Sequence, residues 1–422
     1  MAMTVQLPPR TIFLQIVRRF FLILCGTYFL LLALGAVPFV QKQLVYAHNF
    51  KFPFFCQYGL PERYDLAPFK THNVRIHTSD NETLGAWFTL ADPFYVSHKA
   101  DLFTPTSSSE ELIRSALRAH PTILFLHGMG ATRAYRTRVQ HYQTFASRLQ
   151  ANVLAPDYRG FGDSTGTPSE AGLTLDARAA WDWLRERGAL PENILIVGNS
   201  LGTGVAVQFA SSLESEGEDG DKWSGGGKAE WGGETRREQP RGVVLLAAFS
   251  NIETLLDTFY VLKIVPLLVP LRPFPYISGF LKRFLIHRFD SLAKVVELRV
   301  PLLIVHAEDD WDIPYSHSQT LFDAFLEQHL PPLPEMTATI MGASDEVAEH
   351  VAKLSQERAV LRRELVTASE IERVGRMEVF SKDRPDRKVV FIQTRWGGHD
   401  TVGLIEGVQD YIAEMFNMGY VA

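Results

Sequence analysis

The chain has 422 residues, a formal net charge of −6 and a sequence pI near 6.1. This charge gives no basic surface for a polyanion, so nucleic acid is excluded as an expected partner. Its two cysteines, Cys25 and Cys56, predict no structural disulfide, because Cys25 lies inside an apolar run. The length allows two or three average domains or one α/β domain with insertions, and we favour the single domain.

The first predicted element is a membrane span. Residues 20–40 carry no charge and match the roughly 20 residues that cross a bilayer as a helix. Three arginines precede this run and one lysine closely follows it, which predicts that residues 1–19 are cytoplasmic and the body is luminal or extracellular. The alternative is a signal peptide cleaved near residues 33–35. Both alternatives export the body, and the glycosylation sequon at Asn81 agrees with export.

The remainder divides into a neck and one folded domain. Residues 41–72 are rich in aromatic residues and prolines and predict an irregular neck near lipid headgroups, followed by a domain over residues 73–422. That domain opens with a predicted hairpin of residues 74–77 and 84–88. Short apolar runs then alternate with helical segments, which predicts a mainly parallel sheet with helices on both faces. The predicted parallel strands cover residues 122–126, 152–155, 194–197, 243–246, 302–305 and 389–392.

Three segments interrupt this frame. Residues 211–241 are dense in glycine, glutamate and lysine and predict a disordered surface insertion. Residues 250–290 are apolar but broken by prolines, and they occupy the position of a lid; interfacial helices that admit an acyl chain are one interpretation, and an ordinary buried cap is the other. Residues 331–387 predict a charged helical insertion that projects from the body, with apolar positions at helical spacing over residues 346–364.

A candidate nucleophile follows the third of these parallel strands. The string Gly198-Asn199-Ser200-Leu201-Gly202 comes directly after residues 194–197 and precedes a small, then apolar, helical segment. A sharp strand-to-helix turn of this kind presents a serine hydroxyl to a base, so Ser200 is the predicted nucleophile. A second match, at residues 162–166, follows a loop rather than a strand. We therefore interpret Ser164 as a hydrogen-bonded loop serine.

The base and the acid are predicted from their order in the chain. A nucleophile turn of this type is followed first by an acid and then by a histidine. His399, in a glycine-containing loop after the last strand, is the predicted base, and Asp310 is the predicted acid, with Asp309 as the alternative. The predicted oxyanion donors are the backbone N–H groups of Leu201 and of Met129, which follows the first parallel strand.

These segments together resemble the membrane-anchored α/β-hydrolase-domain serine lipases, over residues 75–206 and 292–403. The resemblance implies an α/β-hydrolase fold and a triad of Ser200, Asp310 and His399. It also implies a luminal lysophospholipase or monoacylglycerol lipase of the endoplasmic reticulum. Asn199 departs from the family pattern, in which histidine is common before the nucleophile. The strings that carry the resemblance are Phe125-Leu126-His127-Gly128, the run of residues 157–170, Asn199 to Ala206, and His306-Ala307-Glu308-Asp309-Asp310.

The sequence thus predicts a membrane-anchored serine hydrolase of lipid acyl esters that uses no metal and no organic cofactor. Its expected partners are a lipid substrate and the bilayer. One alternative is an acyl-protein thioesterase or serine peptidase on the same scaffold, because the fold alone does not select the acyl donor. Another is a non-catalytic, membrane-tethered binding protein.

Overall fold

Short apolar segments of the sequence form the strands of a ten-stranded central sheet. The structure is a computed structural model that describes residues 9–103, 108–216, 239–261, 265, 266, 268–333, 345–381 and 387–419. The strand order is β1-β2-β4-β3-β5-β6-β9-β12-β11-β10; pairing is parallel from β4 to β12 and antiparallel outside that block. The strands are β1 (Thr71–His77), β2 (Thr83–Thr89), β3 (Thr122–Leu126), β4 (Asn152–Pro156), β5 (Ile194–Asn199), β6 (Gly242–Leu246), β9 (Leu302–Ala307), β10 (Val366–Ile371), β11 (Gly375–Phe380) and β12 (Val389–Thr394), with a separate short ribbon of β7 (Tyr260–Val261) and β8 (Val265–Pro266).

Helices cover both faces of this sheet. The helices are α1 (Pro9–Gly35), α2 (Pro38–Tyr46), α3 (Asp92–Ser97), α4 (Lys99–Leu102), α5 (Ser109–Ala119), α6 (Arg136–Ser147), α7 (Glu170–Glu186), α8 (Leu201–Glu216), α9 (Ile252–Leu255), α10 (Pro275–Lys282), α11 (Ser291–Val295), α12 (Ser316–Glu327), α13 (Asp345–Leu365), α14 (Gly398–Thr401) and α15 (Glu406–Phe416). Side chains of the parallel strands alternate between two buried clusters. In β3, Leu124 and Leu126 belong to the cluster under α7, α8 and α12, while Ile123 and Phe125 belong to the cluster under α6 and α15.

The six predicted parallel strands and the predicted hairpin are confirmed. Each predicted range lies within the corresponding strand, and β1 pairs with β2 in antiparallel register. The side chains of the six parallel strands are buried over their predicted ranges, as continuous apolar runs require in a sheet covered on both faces. The tight turn of the hairpin places Asn81 in the left-handed region, at φ +65°, with its side chain exposed.

The apolar N-terminal helix differs from the predicted span of residues 20–40. Helix α1 extends over Pro9–Gly35, and a window of it, Phe13–Gly35, is long and apolar enough to cross a membrane. The chain then breaks, and a second helix begins at Pro38. Proline disfavours a helical conformation at the residue before it, and Val37 is accordingly extended. Part of the predicted cytoplasmic segment, residues 1–8, lies outside the described residues.

The two predicted insertions also differ in part from expectation. Residues 211–216 continue α8 as helix, and residues 217–238 of the first insertion lie outside the described residues. The second insertion is helical in α13 but then forms the hairpin β10–β11, which extends the sheet beyond β12 rather than projecting from it. The prediction missed these strands because charged residues interrupt their apolar alternation. One such residue, Glu378, is buried and paired with Arg362 and Arg376 at 2.6 and 2.5 Å. Residues 334–344 and 382–386 lie outside the described residues.

The predicted lid, residues 250–290, combines short helices with the β7–β8 ribbon. Between these elements the chain returns to α1, where Leu268 and Leu271 pack on Leu32. Its final residues return to the main body, where Glu170 of α7 accepts hydrogen bonds from the N–H groups of Arg288 and Phe289 at 2.9 and 3.0 Å. Residues 262–264 and 267 of the lid lie outside the described residues.

Candidate active site

Ser200 occupies the sharp turn between β5 and α8 with a left-handed backbone, at φ +51°. Its N–H donates to the carbonyl oxygen of Leu246 in the neighbouring β6 at 3.0 Å. Space around the turn requires its glycines. A Cβ on Gly202 would overlap the carbonyl oxygen of Leu126 in β3, and a Cβ on Gly198 would overlap the backbone of Gly202. The close packing therefore holds a non-glycine residue in a conformation that it otherwise rarely adopts.

Ser200, His399 and Asp310 come together although the chain separates them widely. His399 Nε2 lies 2.7 Å from Ser200 Oγ, and His399 Nδ1 lies 2.8 Å from Asp310 Oδ2. The three residues follow β5, β12 and β9, and these parallel strands end at the same edge of the sheet. An ionised carboxylate only accepts hydrogen bonds, so Nδ1 carries the ring hydrogen and Nε2 is able to accept a proton from the serine.

The two aspartates that the sequence left as alternatives make different contacts. Asp310 contacts the His399 imidazole, and its other oxygen accepts two backbone N–H groups of the following turn, both at 2.9 Å. Asp309 instead accepts the backbone N–H of Gly398 at 2.7 Å. Asp309 therefore fixes the backbone before the histidine, and Asp310 fixes the ring.

A second histidine, His306, lies behind the carboxylate and was not singled out from the sequence. It is fully buried at the end of β9, with Nε2 at 3.1 Å from Asp310 Oδ2 and 2.9 Å from the Ile313 carbonyl oxygen. Both neighbours are acceptors, so Nε2 carries a hydrogen. Nδ1 lies 2.7 Å from Ser318 Oγ. The sequence signal for His306 was its place directly after a predicted buried strand, at the start of the string His306-Ala307-Glu308-Asp309-Asp310.

These contacts shift the pKa values of the acid and the base in opposite directions. Burial raises the pKa of Asp310, but hydrogen bonds with His306 and His399 outweigh burial and hold this pKa well below its usual range. Burial lowers the pKa of His399, but the hydrogen bond and charge of Asp310 outweigh it and raise the pKa above 6.5. The site therefore stabilises an aspartate–imidazolium pair.

The loop of residues 128–130 passes directly beside Ser200. A Cβ on Gly128 would lie 3.1 Å from the Cβ of Ser200. Within the described part of the chain, the backbone N–H groups of Met129 and Leu201 donate no hydrogen bond, while those of Gly130 and the residues after it do. The two amides predicted as oxyanion donors are therefore unoccupied by protein acceptors there.

Arg138 of α6 holds this loop from below. Its buried Nη2 donates to the carbonyl oxygens of Gly128, Met129 and Gly130 at 2.9, 3.2 and 2.7 Å. These contacts turn the carbonyl groups toward α6. The sequence could not identify this residue, because Arg133 and Arg136 stand close to it in the chain and nothing in the pattern distinguishes them.

The neck is also part of the site. The N–H of Gly130 donates to the Tyr46 carbonyl oxygen at 2.8 Å, and the N–H of Ala131 donates to that of Phe50 at 2.7 Å. We predicted that the neck lies near lipid headgroups, and not that it contacts the loop beside the nucleophile.

A cavity of about 600 Å³ contains Ser200 and His399 in its lining. The neck and the lid both contribute walls to this cavity. Apolar side chains dominate both walls, which suits an acyl chain better than a polar substrate. The neck contributes Leu44, Val45, Ala47, Phe50 and Phe52, and the lid contributes Ile252, Leu255, Leu256 and Phe259.

Asp310, Asp312 and His399 carry possible metal-ligand atoms within 4.8 Å of one another. Hydrogen bonds already engage both ring nitrogens of His399 and both oxygens of Asp310. We therefore assign no metal to this cluster.

The second glycine–serine match lies away from this cavity. Ser164 is buried, donates to the Asp157 carbonyl oxygen at 2.7 Å and accepts the Gly85 N–H at 2.9 Å. Its interpretation as a hydrogen-bonded loop serine is confirmed.

A family model described as the alpha/beta hydrolase family matches residues 123–389. The chain belongs to the α/β hydrolase family. This hydrolase is 30% identical over 313 residues to a Danio rerio protein named lysophosphatidylserine lipase ABHD12, across 72% of each chain. It is 30% identical over 298 residues to the Homo sapiens protein ABHD12B, across 66% of this chain and 68% of the relative. Among solved structures, an α/β hydrolase from Vibrio vulnificus matches with a TM-score of 0.49 and 17% identity, across 90% of this chain and 94% of that one.

The predicted α/β-hydrolase fold is thus confirmed, and the chain is an ester-hydrolysing enzyme of the lipase type. The alternative of a binding protein without catalysis is not retained.

Arg138 provides the first test of the site. We expect Arg138→Ala to lower kcat for a soluble ester by about 10²-fold, the effect of losing one oxyanion donor, because the loop carbonyls lose their shared donor and the Met129 N–H loses its direction. Arg138→Lys should recover only part of kcat, since an ammonium does not reproduce the guanidinium fork. Steady-state kinetics should show this loss in kcat more than in KM.

The matched control is Arg136→Ala, an exposed arginine on the same helix, which should retain wild-type kcat. Equal kcat in Arg138→Ala and Arg136→Ala would contradict the proposed support of the loop.

Proposed function

We propose that the protein is a membrane-anchored serine hydrolase that cleaves the acyl ester of lysophospholipids or monoacylglycerols. The observation that carries this proposal is the continuous hydrogen-bonded line from Ser200 through His399 to Asp310 inside an apolar cavity. The relatives named lysophosphatidylserine lipase support the lipid class. The helix α1, apolar over Phe13–Gly35, supports the anchor.

In the proposed mechanism, Ser200 Oγ attacks the ester carbonyl carbon while His399 Nε2 takes the hydroxyl proton. The carbonyl oxygen becomes negative and is bound by the N–H groups of Met129 and Leu201. Collapse of this intermediate breaks the ester bond, and His399 returns the proton to the leaving alcohol. Water, deprotonated by His399, then attacks the acyl-serine, releases the fatty acid and restores the Ser200 hydroxyl. No metal or organic cofactor takes part in the proposed reaction.

The nucleophile assignment is tested by covalent labelling. We expect a fluorophosphonate to label wild type and Ser164→Ala, per mole of folded protein, but not Ser200→Ala, because Ser200 lines the cavity with His399 Nε2 at 2.7 Å, whereas the hydrogen-bond partners of Ser164 are backbone groups. In-gel fluorescence measures the labelling. Membranes that contain Ser200→Ala should also lose the hydrolysis of lysolipids and monoacylglycerols.

Equal labelling of Ser200→Ala and wild type would refute the nucleophile. If Ser200→Ala loses the label and the hydrolysis of acyl-protein thioesters but keeps its lipid hydrolysis, the thioesterase alternative is favoured.

The choice between the two aspartates is tested by pH dependence. The proposed base acts when neutral, so kcat/KM should rise with pH through the raised pKa of His399, above 6.5. In Asp310→Asn the imidazolium loses its main stabilisation, so this rise should move to lower pH, and the plateau should fall by about 10⁴-fold. A profile on a soluble ester between about pH 5 and 9 measures both effects.

Asp309→Asn is the matched control. Within the described residues, its carboxylate accepts a hydrogen bond from the backbone N–H of Gly398 and makes none with the His399 ring, so the position of the rise should stay unchanged. A larger displacement in Asp309→Asn than in Asp310→Asn would reverse the assignment.

We further propose that the catalytic domain is luminal, in the endoplasmic reticulum. Arg10, Arg18 and Arg19, which precede the uncharged run of residues 20–40, support this orientation, and Asn81 is exposed at a hairpin turn. Wild type from microsomes should lose apparent mass on treatment with an N-glycosidase, Asn81→Gln should not, and Thr83→Ser, which keeps the sequon, should behave as wild type. A domain that is unglycosylated and digested by protease added outside sealed microsomes would contradict the luminal orientation.

A further inference from the structure

The lid contacts α1 within the apolar part of that helix. Leu268 and Leu271 of the lid form a small buried cluster with Leu32, and Tyr28 packs at its edge. Leu32 and Tyr28 precede the helix end at Gly35 by about 5 and about 10 Å, at 1.5 Å per residue. When α1 spans a bilayer, the lid residues that contact it at these positions lie at the depth of its apolar segment.

One lid residue connects this cluster to the cavity. Leu256 packs against the cluster around Leu32 and also lines the cavity that contains Ser200. The cluster that joins the lid to α1 is therefore in contact with the wall of the cavity. The cavity lies next to the part of the chain that the anchor places in the bilayer.

The lid presents an apolar surface to solvent around α10. Such a surface is costly in water, and its aromatic residues suit the boundary between headgroups and acyl chains. We call this surface the α10 face; it consists of the exposed residues Phe274, Tyr276, Ile277, Phe280, Phe284 and Ile286.

The mouth of the cavity is apolar as well. Leu44, Phe50 and Phe52 of the neck and Met129 line the cavity and are also exposed, so they form its rim. Phe50 and Phe52 stack at 6.0 Å between ring centroids, which gives the rim a continuous aromatic edge. Because α2 begins three residues after α1 ends, Leu44 is within about 10 Å of chain rise from the start of that helix.

A buried glutamine fastens α2 to the lid beside the α10 face. Gln41 Nε2 donates to the Phe284 carbonyl oxygen at 2.8 Å, and Gln41 Oε1 accepts the Ile286 N–H at 3.1 Å. The anchor, the rim and the α10 face are therefore held as one unit by packing and hydrogen bonds.

We propose that the α10 face and the rim lie in the outer part of the lipid leaflet, so that a lipid acyl chain passes sideways from the bilayer into the cavity. The partner of this surface is the bilayer itself. The inference rests on the proposed function, because it assumes a lipid substrate and an anchored enzyme. The anchor keeps the enzyme at the membrane in every variant, so a defect in the α10 face reports access of the lipid rather than recruitment of the protein.

The experiment uses the full chain in phosphatidylcholine vesicles. The test variant is Tyr276→Asp with Phe280→Asp, two exposed positions on α10 that do not line the cavity. The matched control is Leu190→Asp with Val360→Asp, which are exposed by 51% and 49% and belong to neither surface. Two activities are compared: hydrolysis of oleoyl lysophosphatidylserine or monooleoylglycerol in the vesicles, and hydrolysis of p-nitrophenyl acetate in solution.

We expect the α10 variant to lose about tenfold or more of the vesicle activity, because two carboxylates resist insertion among acyl chains. Its soluble-ester activity and its fluorophosphonate labelling should stay within about twofold of wild type, and the control should match wild type in both assays.

Equal losses on both substrates, or no loss on either, would overturn the sideways route. A vesicle activity that depends on enzyme density, with the α10 variant no longer dimeric, would assign the face to a second copy instead. Wild type that hydrolyses the soluble ester but no lipid would refute the proposed function, which separates the two failures.

Discussion

The close approach of the β5–α8 turn to β3 is the constraint on which the site depends. Gly202 leaves no space for a side chain against the carbonyl oxygen of Leu126, so the turn packs against the strand with backbone alone. Ser200 then adopts φ +51°, a conformation that costs about 1–3 kcal/mol when surrounding structure enforces it. The hydrogen bond from the Ser200 N–H to Leu246 helps to hold this conformation. The packing directs the hydroxyl away from the sheet, toward the imidazole of His399.

The loop of residues 128–130, beside Ser200, depends on the hydrogen-bond partners of its backbone groups. Arg138 donates hydrogen bonds to the carbonyl oxygens of residues 128–130. Carbonyl oxygens of the neck accept the N–H groups of Gly130 and Ala131. The N–H groups of Gly128 and Met129 have no protein acceptor in the described chain, and both residues line the cavity with Ser200. A charged donor below and a neck beside the loop therefore determine the proposed oxyanion site. The neck also forms a wall of the cavity, so the segment that follows the N-terminal apolar helix is part of the site.

The sequence predicted those features that single segments determine. Each parallel strand is a buried apolar run, and the strand-to-helix turn carries its own steric signature in glycine. Features that depend on distant contacts left no such signal. The neck binds the loop through backbone groups, which any residue supplies, and Arg138 differs from nearby arginines only by its position beneath the loop. The β10–β11 hairpin was hidden because Glu378 is buried by pairing with arginines rather than by being apolar. Helix α1 ends before the predicted boundary because Pro38 affects the backbone more strongly than hydropathy does.

The long separation between Asp310 and His399 illustrates why an insertion need not disturb a site. Strands β9 and β12 run parallel and pair from Leu302 with Val389 to Ala307 with Thr394. This register, rather than the length of the intervening chain, places the two residues after them at hydrogen-bond distance. The connection leaves the carboxyl edge through α12 and adds its hairpin on the far side of β12, at the end of the sheet. Lengthening such a connection adds only about 0.6 kcal/mol of closure entropy per doubling. The insertion therefore extends the sheet while the geometry at its carboxyl edge stays fixed by the strand pairing.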